Sequence, residues 1–197
     1  HLSYIHSPMR YLYDQFDSYF GPDAPFYQRA GMKVFKNYLT NWDLDSNKNV
    51  DHFISNSAFV KQRVTTFYNR ESDVIHPFVD LEDFKDVREN PPEKEDYFIM
   101  VTAFAPNKRV DLAVKAFNKL GMKLRIIGSG QQESELREMA KDNIEFLGNI
   151  SREEVVSCFA RAEAMIFPGV EDFGITPLES MASGTPVIAY KAGGVLE

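Results

Sequence analysis

A single cysteine, Cys158, stands in the 197 residues, so no disulfide can close within the chain and a reducing compartment is the simpler expectation. No apolar run approaches the ~20 residues that a membrane-spanning helix needs, and the opening HLSYIHSPMR does not read as a secretory signal. Basic residues are the minority charge: 22 Lys and Arg stand against 29 Asp and Glu, a formal net charge of −7. That deficit argues against nucleic acid as the main partner, because a polyanion is held by a concentrated basic face. A small anionic ligand needs only a few local donors. Internal repeats and low-complexity tracts are also missing. What is present is ordinary for a globular chain, 44% hydrophobic and 26% charged residues. The length suits one large domain or two small ones, with enough residues for a real core.

The order of elements supports two pieces of α/β. In the first, Leu2 to Ile5 reads as a strand and Met9 to Phe20 as a helix with Leu12, Phe16, Tyr19 and Phe20 on one face. That aromatic face reads as core in preference to a lipid platform. A turn at Gly21 to Pro25, a helix from Phe26 to about Thr40, a strand at Val50 to Ser55, a helix at Ala58 to Tyr68 and a strand at Asp73 to His76 follow. Strands separated by helices imply parallel pairing. Residues 77–96 are polar, carry Pro91-Pro92 and lack periodicity, and so read as a linker. Beyond it the alternation is regular: strands at Tyr97 to Thr102, Lys123 to Ile127, Ile144 to Leu147, Ala164 to Phe167 and Pro186 to Tyr190. The helices between them are Val110 to Leu120, Gln131 to Lys141, Glu153 to Arg161 and Pro177 to Ser183. A right-handed parallel sheet results, with its ligand loops on one edge.

The chemistry concentrates in FPGVEDFGITPLESMASGTPV, residues 167–187. A loop leaves a buried strand and enters a helix for which Thr176 is the expected N-cap and Pro177 the first helical residue. Helix amides pointing into a loop favour an anion, a phosphate above all. Glu171 and Glu179 beside that anion site are poor phosphate ligands but good acceptors for sugar hydroxyls. The combination suggests a nucleotide sugar. Thr176-x-x-Glu179 is also a capping box, in which Glu179 reaches back to the Thr176 amide, and the pattern leaves both readings open. Lys108 and Arg109 open the helix after the strand at Tyr97; cations there oppose the helix dipole and ask for another reason, which neutralisation of a diphosphate would supply. Gly128-Ser129-Gly130 invites a dinucleotide reading, but Glu133 stands where a third glycine should fall, and the pair reads as a tight turn that lets backbone approach the donor. Ile150, after FLGN, is taken as a contact to the base, with packing as the open alternative.

Glu, seven residues, Glu, with FGITPLE between, resembles the signature of the retaining glycosyltransferases of family 4. The resemblance implies the GT-B architecture of two Rossmann-like domains. Residues 1–76 would be the last part of the acceptor-side domain and 97–197 most of the donor-side domain, truncated at its end, so the chain is expected to be a fragment. It further implies that Glu171 contacts the transferred sugar's hydroxyls, and that Phe173, Gly174 and Ile175 offer backbone amides at sugar and phosphate. Lys108, Arg109 and Thr176 would hold the diphosphate, and Glu179 the ribose. His6, at the end of the first strand, occupies the place of a family histidine near the sugar. Many relatives carry an arginine where this chain has Ala103; alanine followed by proline, lysine and arginine is similar to bacterial mannosyltransferases that build cell-surface polysaccharides.

On that resemblance GDP-mannose is the expected donor, with a UDP-sugar second. A hydroxyl of a glycan or lipid-linked acceptor receives the sugar, no metal takes part, and the enzyme works in the cytoplasm at the inner membrane face. Two carboxylates about 5 Å apart would suit double displacement, but both acids are assigned to binding, and same-face attack is expected. A nucleotide-sugar 2-epimerase and a non-catalytic nucleotide-sugar module remain as alternatives.

Overall fold

The computed structural model describes residues 1–22 and 24–197, and of Ser18 the backbone alone. The turn expected over Gly21–Pro25 contains Asp23, which lies outside the described residues. The chain divides into two units, residues 1–77 with Glu197, and residues 78–196.

In the first unit, β1 (Leu2–Ile5), β2 (His52–Ser55) and β3 (Ser72–Val74) form a parallel sheet in the order β1-β2-β3, with Leu2 opposite His52 and Phe53 opposite Ser72. The central strand puts Phe53 into a core with Val50, Val60 and Val64. The helices are α1 (Phe16–Phe20), α2 (Phe26–Asn47) and α3 (Ala58–Tyr68). Ser57 caps α3 by accepting from the Val60 amide at 2.9 Å. The helix expected from Met9 is shorter: residues 10–14 form turns, and only Phe16–Phe20 is helical. Long-range polar partners explain the loss. The Tyr13 hydroxyl donates to Asp43 at 2.7 Å, and Asp14 is ion-paired with Arg63, anchors that a continuous helix would pull apart. Of the apolar face, Leu12 is buried while Tyr19 is exposed. α2 runs seven residues past Thr40 because Asp43, a poor helix former, is buried against Tyr13.

The second unit opens with a 3-10 turn (Leu81–Phe84) and α4 (Lys85–Glu89). Residues 78–96, read as a linker, thus group with this unit and carry structure. Phe84 is fully buried, a contribution of about 2–3 kcal/mol. Then come β4 (Phe98–Val101), α5 (Val110–Leu120), β5 (Leu124–Ile127), α6 (Glu133–Met139), β6 (Ile144–Gly148), α7 (Arg152–Arg161), β7 (Met165–Phe167), α8 (Ile175–Ala182) and β8 (Val187–Ala189). The sheet is parallel throughout, in the order β6-β5-β4-β7-β8. Both faces are covered, so its strands are largely apolar, with Arg125 in β5 and Glu145 in β6 as the charged exceptions. Met100, Leu124 and Ile126 pack with Val114 and Phe117 of α5 on one face, and Ile99, Ile127 and Met165 with Phe159 of α7 on the other. The winding reverses direction at β4: β5 and β6 lie to one side, β7 and β8 to the other. The crevice between the loops after β4 and β7 is therefore the switch point at which such sheets bind ligands.

Candidate active site

The loop after β4 ends in a 3-10 turn, Pro106–Lys108, and the loop after β7 carries Glu171. Across the switch point the Lys108 Nζ and the Glu171 Oε1 are joined in an ion pair. Their side chains are only 25% and 16% exposed, so the cation is largely sheltered and held by a neighbouring carboxylate. Arg109 is not part of this pair. Its backbone is left-handed (φ 54°), and its Nε donates to Asp111 at 3.1 Å. Burial alone would raise the Asp111 carboxyl, but hydrogen bonds from Arg109 and Lys115 hold it below the usual range.

The Glu171 loop is fixed from behind by a segment that sequence reasoning passed over. Glu171 forms a parallel bridge with Gly193, and the Gly194 amide donates to the Glu171 carbonyl at 2.9 Å. Gly193 sits at φ +81°, and a Cβ there would lie 2.4 Å from that carbonyl; only glycine fits. Two glycines in a row after a strand were the available signal.

α8 begins two residues earlier than expected. Gly174, left-handed at φ 88°, is the N-cap and Ile175 the first helical residue. Thr176 is therefore not the cap and Pro177 not the first position: glycine's left-handed backbone turns the chain into the helix before Thr176 is reached. Glu179, now beyond the first turn, makes no capping box. Its Oε1 instead accepts from the Arg152 Nη1 at 2.6 Å. The capping box of this region is on α7, where Ser151 and Glu154 exchange side-chain hydrogen bonds with each other's amides. Arg152 was not singled out, although a cation at the start of a helix asks the question that flagged Lys108.

The remaining expected residues separate into four places. Phe173 and Thr176 are half-buried and Ile175 is 44% exposed, all at the mouth of the Glu171 loop. Gly128 follows β5, and what approaches it is the chain's own Thr102 carbonyl, 1.9 Å from where a Cβ would stand. Ile150 packs against the core beside Ile127 and Phe159. His6 belongs to the first unit, just past β1, exposed and edge-on to Tyr4 with ring centroids 5.4 Å apart.

The doubly wound parallel sheet is shared with solved GT-B glycosyltransferases. HepE of Anabaena, solved in complex with UDP and glucose, superposes with a TM-score of 0.72 over 99% of this chain and 54% of that one at 16% identity. The sucrose-phosphate synthase of Thermosynechococcus elongatus does so with 0.70 over 98% of this chain and 51% of that one at 24% identity. Residues 82–197, more than half of the chain, match the family model described as glycosyl transferases group 1, and the chain belongs to that family. It is similar to the O-antigen chain mannosyltransferase RfbU of Salmonella typhimurium, 30% identical over 83% of this chain and 48% of the relative. It is also similar to the alpha-1,3/1,6-mannosyltransferase of Saccharomyces cerevisiae, 27% identical over 89% of this chain and 46% of that protein. The chain thus spans about half the length of these two relatives.

Proposed function

We propose that this chain carries the donor site of a retaining glycosyltransferase that moves mannose from GDP-mannose to a hydroxyl of a glycan or lipid-linked acceptor. The observation that carries the proposal is the Lys108–Glu171 pair at the switch point. Lys108 takes the diphosphate, and its fixed charge stabilises the charge that develops on the leaving group, the role a metal has elsewhere. Glu171, released from Lys108 by the phosphate, accepts from the sugar hydroxyls. Glu179 accepts from the ribose, Thr176 and the amides of Phe173 to Ile175 line the phosphate and sugar, and His6 serves the transfer step. Each acid already has a cationic partner, Lys108 or Arg152, which favours binding roles over a nucleophile. Attack from the face of the departing diphosphate then gives retention. The likeness to mannosyltransferases supports the donor.

The reaction is proposed to need no metal and to take place at the cytoplasmic membrane face. Among the described residues no helix is long and apolar enough to cross a membrane.

Calorimetric titration with GDP, UDP, GDP-mannose and UDP-glucose, in EDTA, tests the reading. Preference for guanine nucleotides is expected. Preference for uridine would replace the donor, and interconversion of the sugar without acceptor would make the protein an epimerase.

A further inference from the structure

Arg152 joins three elements that are remote in sequence. Its Nη1 donates to Glu179 at 2.6 Å, its Nε and Nη2 donate to Asp83 Oδ2 at 3.4 and 3.3 Å, and the guanidinium lies over the Phe84 ring, 5.2 Å from the centroid. Phe84 is fully buried, so this ring is a fixed floor. α7 packs against α8 and against the 3-10 turn and α4. The guanidinium is thus held on two sides before it reaches Glu179.

A cation at the first position of α7 works against that helix's dipole, and the Ser151–Glu154 capping box already serves the helix start. Local helix stability therefore does not explain an arginine here. Its partner does. Glu179 is only 15% exposed whereas Arg152 is 41% exposed, so the pair hides the carboxylate more than the cation. One oxygen of Glu179 is occupied by Arg152 and the other keeps its lone pairs for a second partner. Side chains on a helix lean toward its N-terminus, which for Glu179 is the side of the Gly174 turn.

We infer that Arg152 is the positioning residue of the nucleoside subsite: it fixes Glu179, through one oxygen, in the orientation in which the other accepts from the ribose hydroxyls. Asp83 and Phe84 fix Arg152 in turn. The rigid planar fork of arginine suits this task, and a lysine could not serve Asp83 and Glu179 together with the same geometry. The inference rests on the proposed role of Glu179 and adds the residues that set its geometry.

The test compares GDP and UDP with their 2′,3′-dideoxy forms by calorimetry, on the whole protein and on its Arg152→Ala, Arg152→Lys and Asp83→Asn variants. Thermal melts show that each variant folds. In the wild type, loss of the ribose hydroxyls is expected to weaken the preferred nucleotide roughly 10- to 100-fold, the scale of hydrogen bonds to a charged acceptor. In Arg152→Ala that ratio should shrink to about threefold or less, in Arg152→Lys only partly, and in Asp83→Asn in the same direction by a smaller factor. A folded Arg152→Ala variant that keeps the full wild-type ratio overturns the inference alone. A wild type that binds neither nucleotide, or ignores the ribose hydroxyls, overturns the role of Glu179 and the inference with it.

Discussion

Lys108 and Glu171 hold each other across the switch point of the second sheet. Under the proposed function this pair is a cation and an anion for different parts of one ligand, neutralising each other until that ligand arrives, and substitution of either should reveal the other. Lys108→Ala is expected to lower GDP affinity roughly 10- to 100-fold, the value of a charge-assisted contact of about 1.5–3 kcal/mol. Glu171→Ala should abolish transfer and leave GDP affinity unchanged or slightly raised, since Lys108 is then unopposed. Calorimetry with single-turnover assays separates the two. Equal loss of nucleotide affinity in both would end this division of labour.

Arg109 gives a sharper comparison, because it neighbours Lys108 yet is engaged by Asp111. Arg109→Ala is expected to change GDP affinity by less than about threefold. Stability should also change little, because exposed pairs are worth about 0–1 kcal/mol. A loss matching that of Lys108→Ala would mean that Arg109 leaves Asp111 on ligand binding.

Gly193→Ala should damage the site from a distance. The new methyl would meet the Glu171 carbonyl at 2.4 Å on a backbone of φ +81°, a conformation that costs about 1–2 kcal/mol for a residue with a side chain. A lower melting temperature and a fall in kcat are expected, with GDP affinity retained through Lys108. Gly31→Ala, in α2 with no atom within 4 Å of the added methyl, is the control and should be neutral or stabilising by up to about 1 kcal/mol. Unchanged kcat in Gly193→Ala would refute the tether.

Tyr97 contributes to the loss of stability at alkaline pH, beside Tyr13 and Tyr68, whose phenols burial also pushes up. Burial pushes the Tyr97 phenol up to about 12 from an ordinary value of 10.0, and its hydroxyl donates to the Cys158 carbonyl at 2.7 Å. A folded pKa above the unfolded one gives stability that is present below pH ~10 and lost as pH rises toward ~12. The expected loss is about 1–3 kcal/mol, at 1.36 kcal/mol per pKa unit. Denaturant titrations of wild type and Tyr97→Phe from pH 9 to 12 should show a shallower decline in the variant, which starts from lower stability because it lacks the hydrogen bond. Parallel declines would mean that another group titrates.

The second sheet was legible in the sequence because strands buried on both faces are largely apolar: FIMV and MIF throughout, and LRII but for Arg125, lie where expected, with ends shifted by a residue. What escaped is what depends on distant partners. The aromatic spacing of Leu12, Phe16, Tyr19 and Phe20 is helical on paper, yet Tyr13 and Asp14 are committed to Asp43 and Arg63. In α8, Thr-Pro-Leu-Glu fits a capping box on local grounds, and a left-handed Gly174 displaced it. The placement of Lys108 and Glu171 at the ends of β4 and β7 followed from the strand pattern, although their mutual contact did not. Arg152 had a local oddity, a cation at a helix start, but its meaning lies with Glu179 and Asp83, 27 and 69 positions away.

The bridge between Glu171 and Gly193 also governs how this site could be moved between proteins. A cassette cut at the end of the Glu171-to-Glu179 signature would carry both acids and leave behind the two glycines that hold the first of them in place. In a chimaera built with that cut, the placement of Glu171 would depend on the residues that the other parent supplies at 193 and 194, so a recombination boundary that preserves this loop belongs after Gly194.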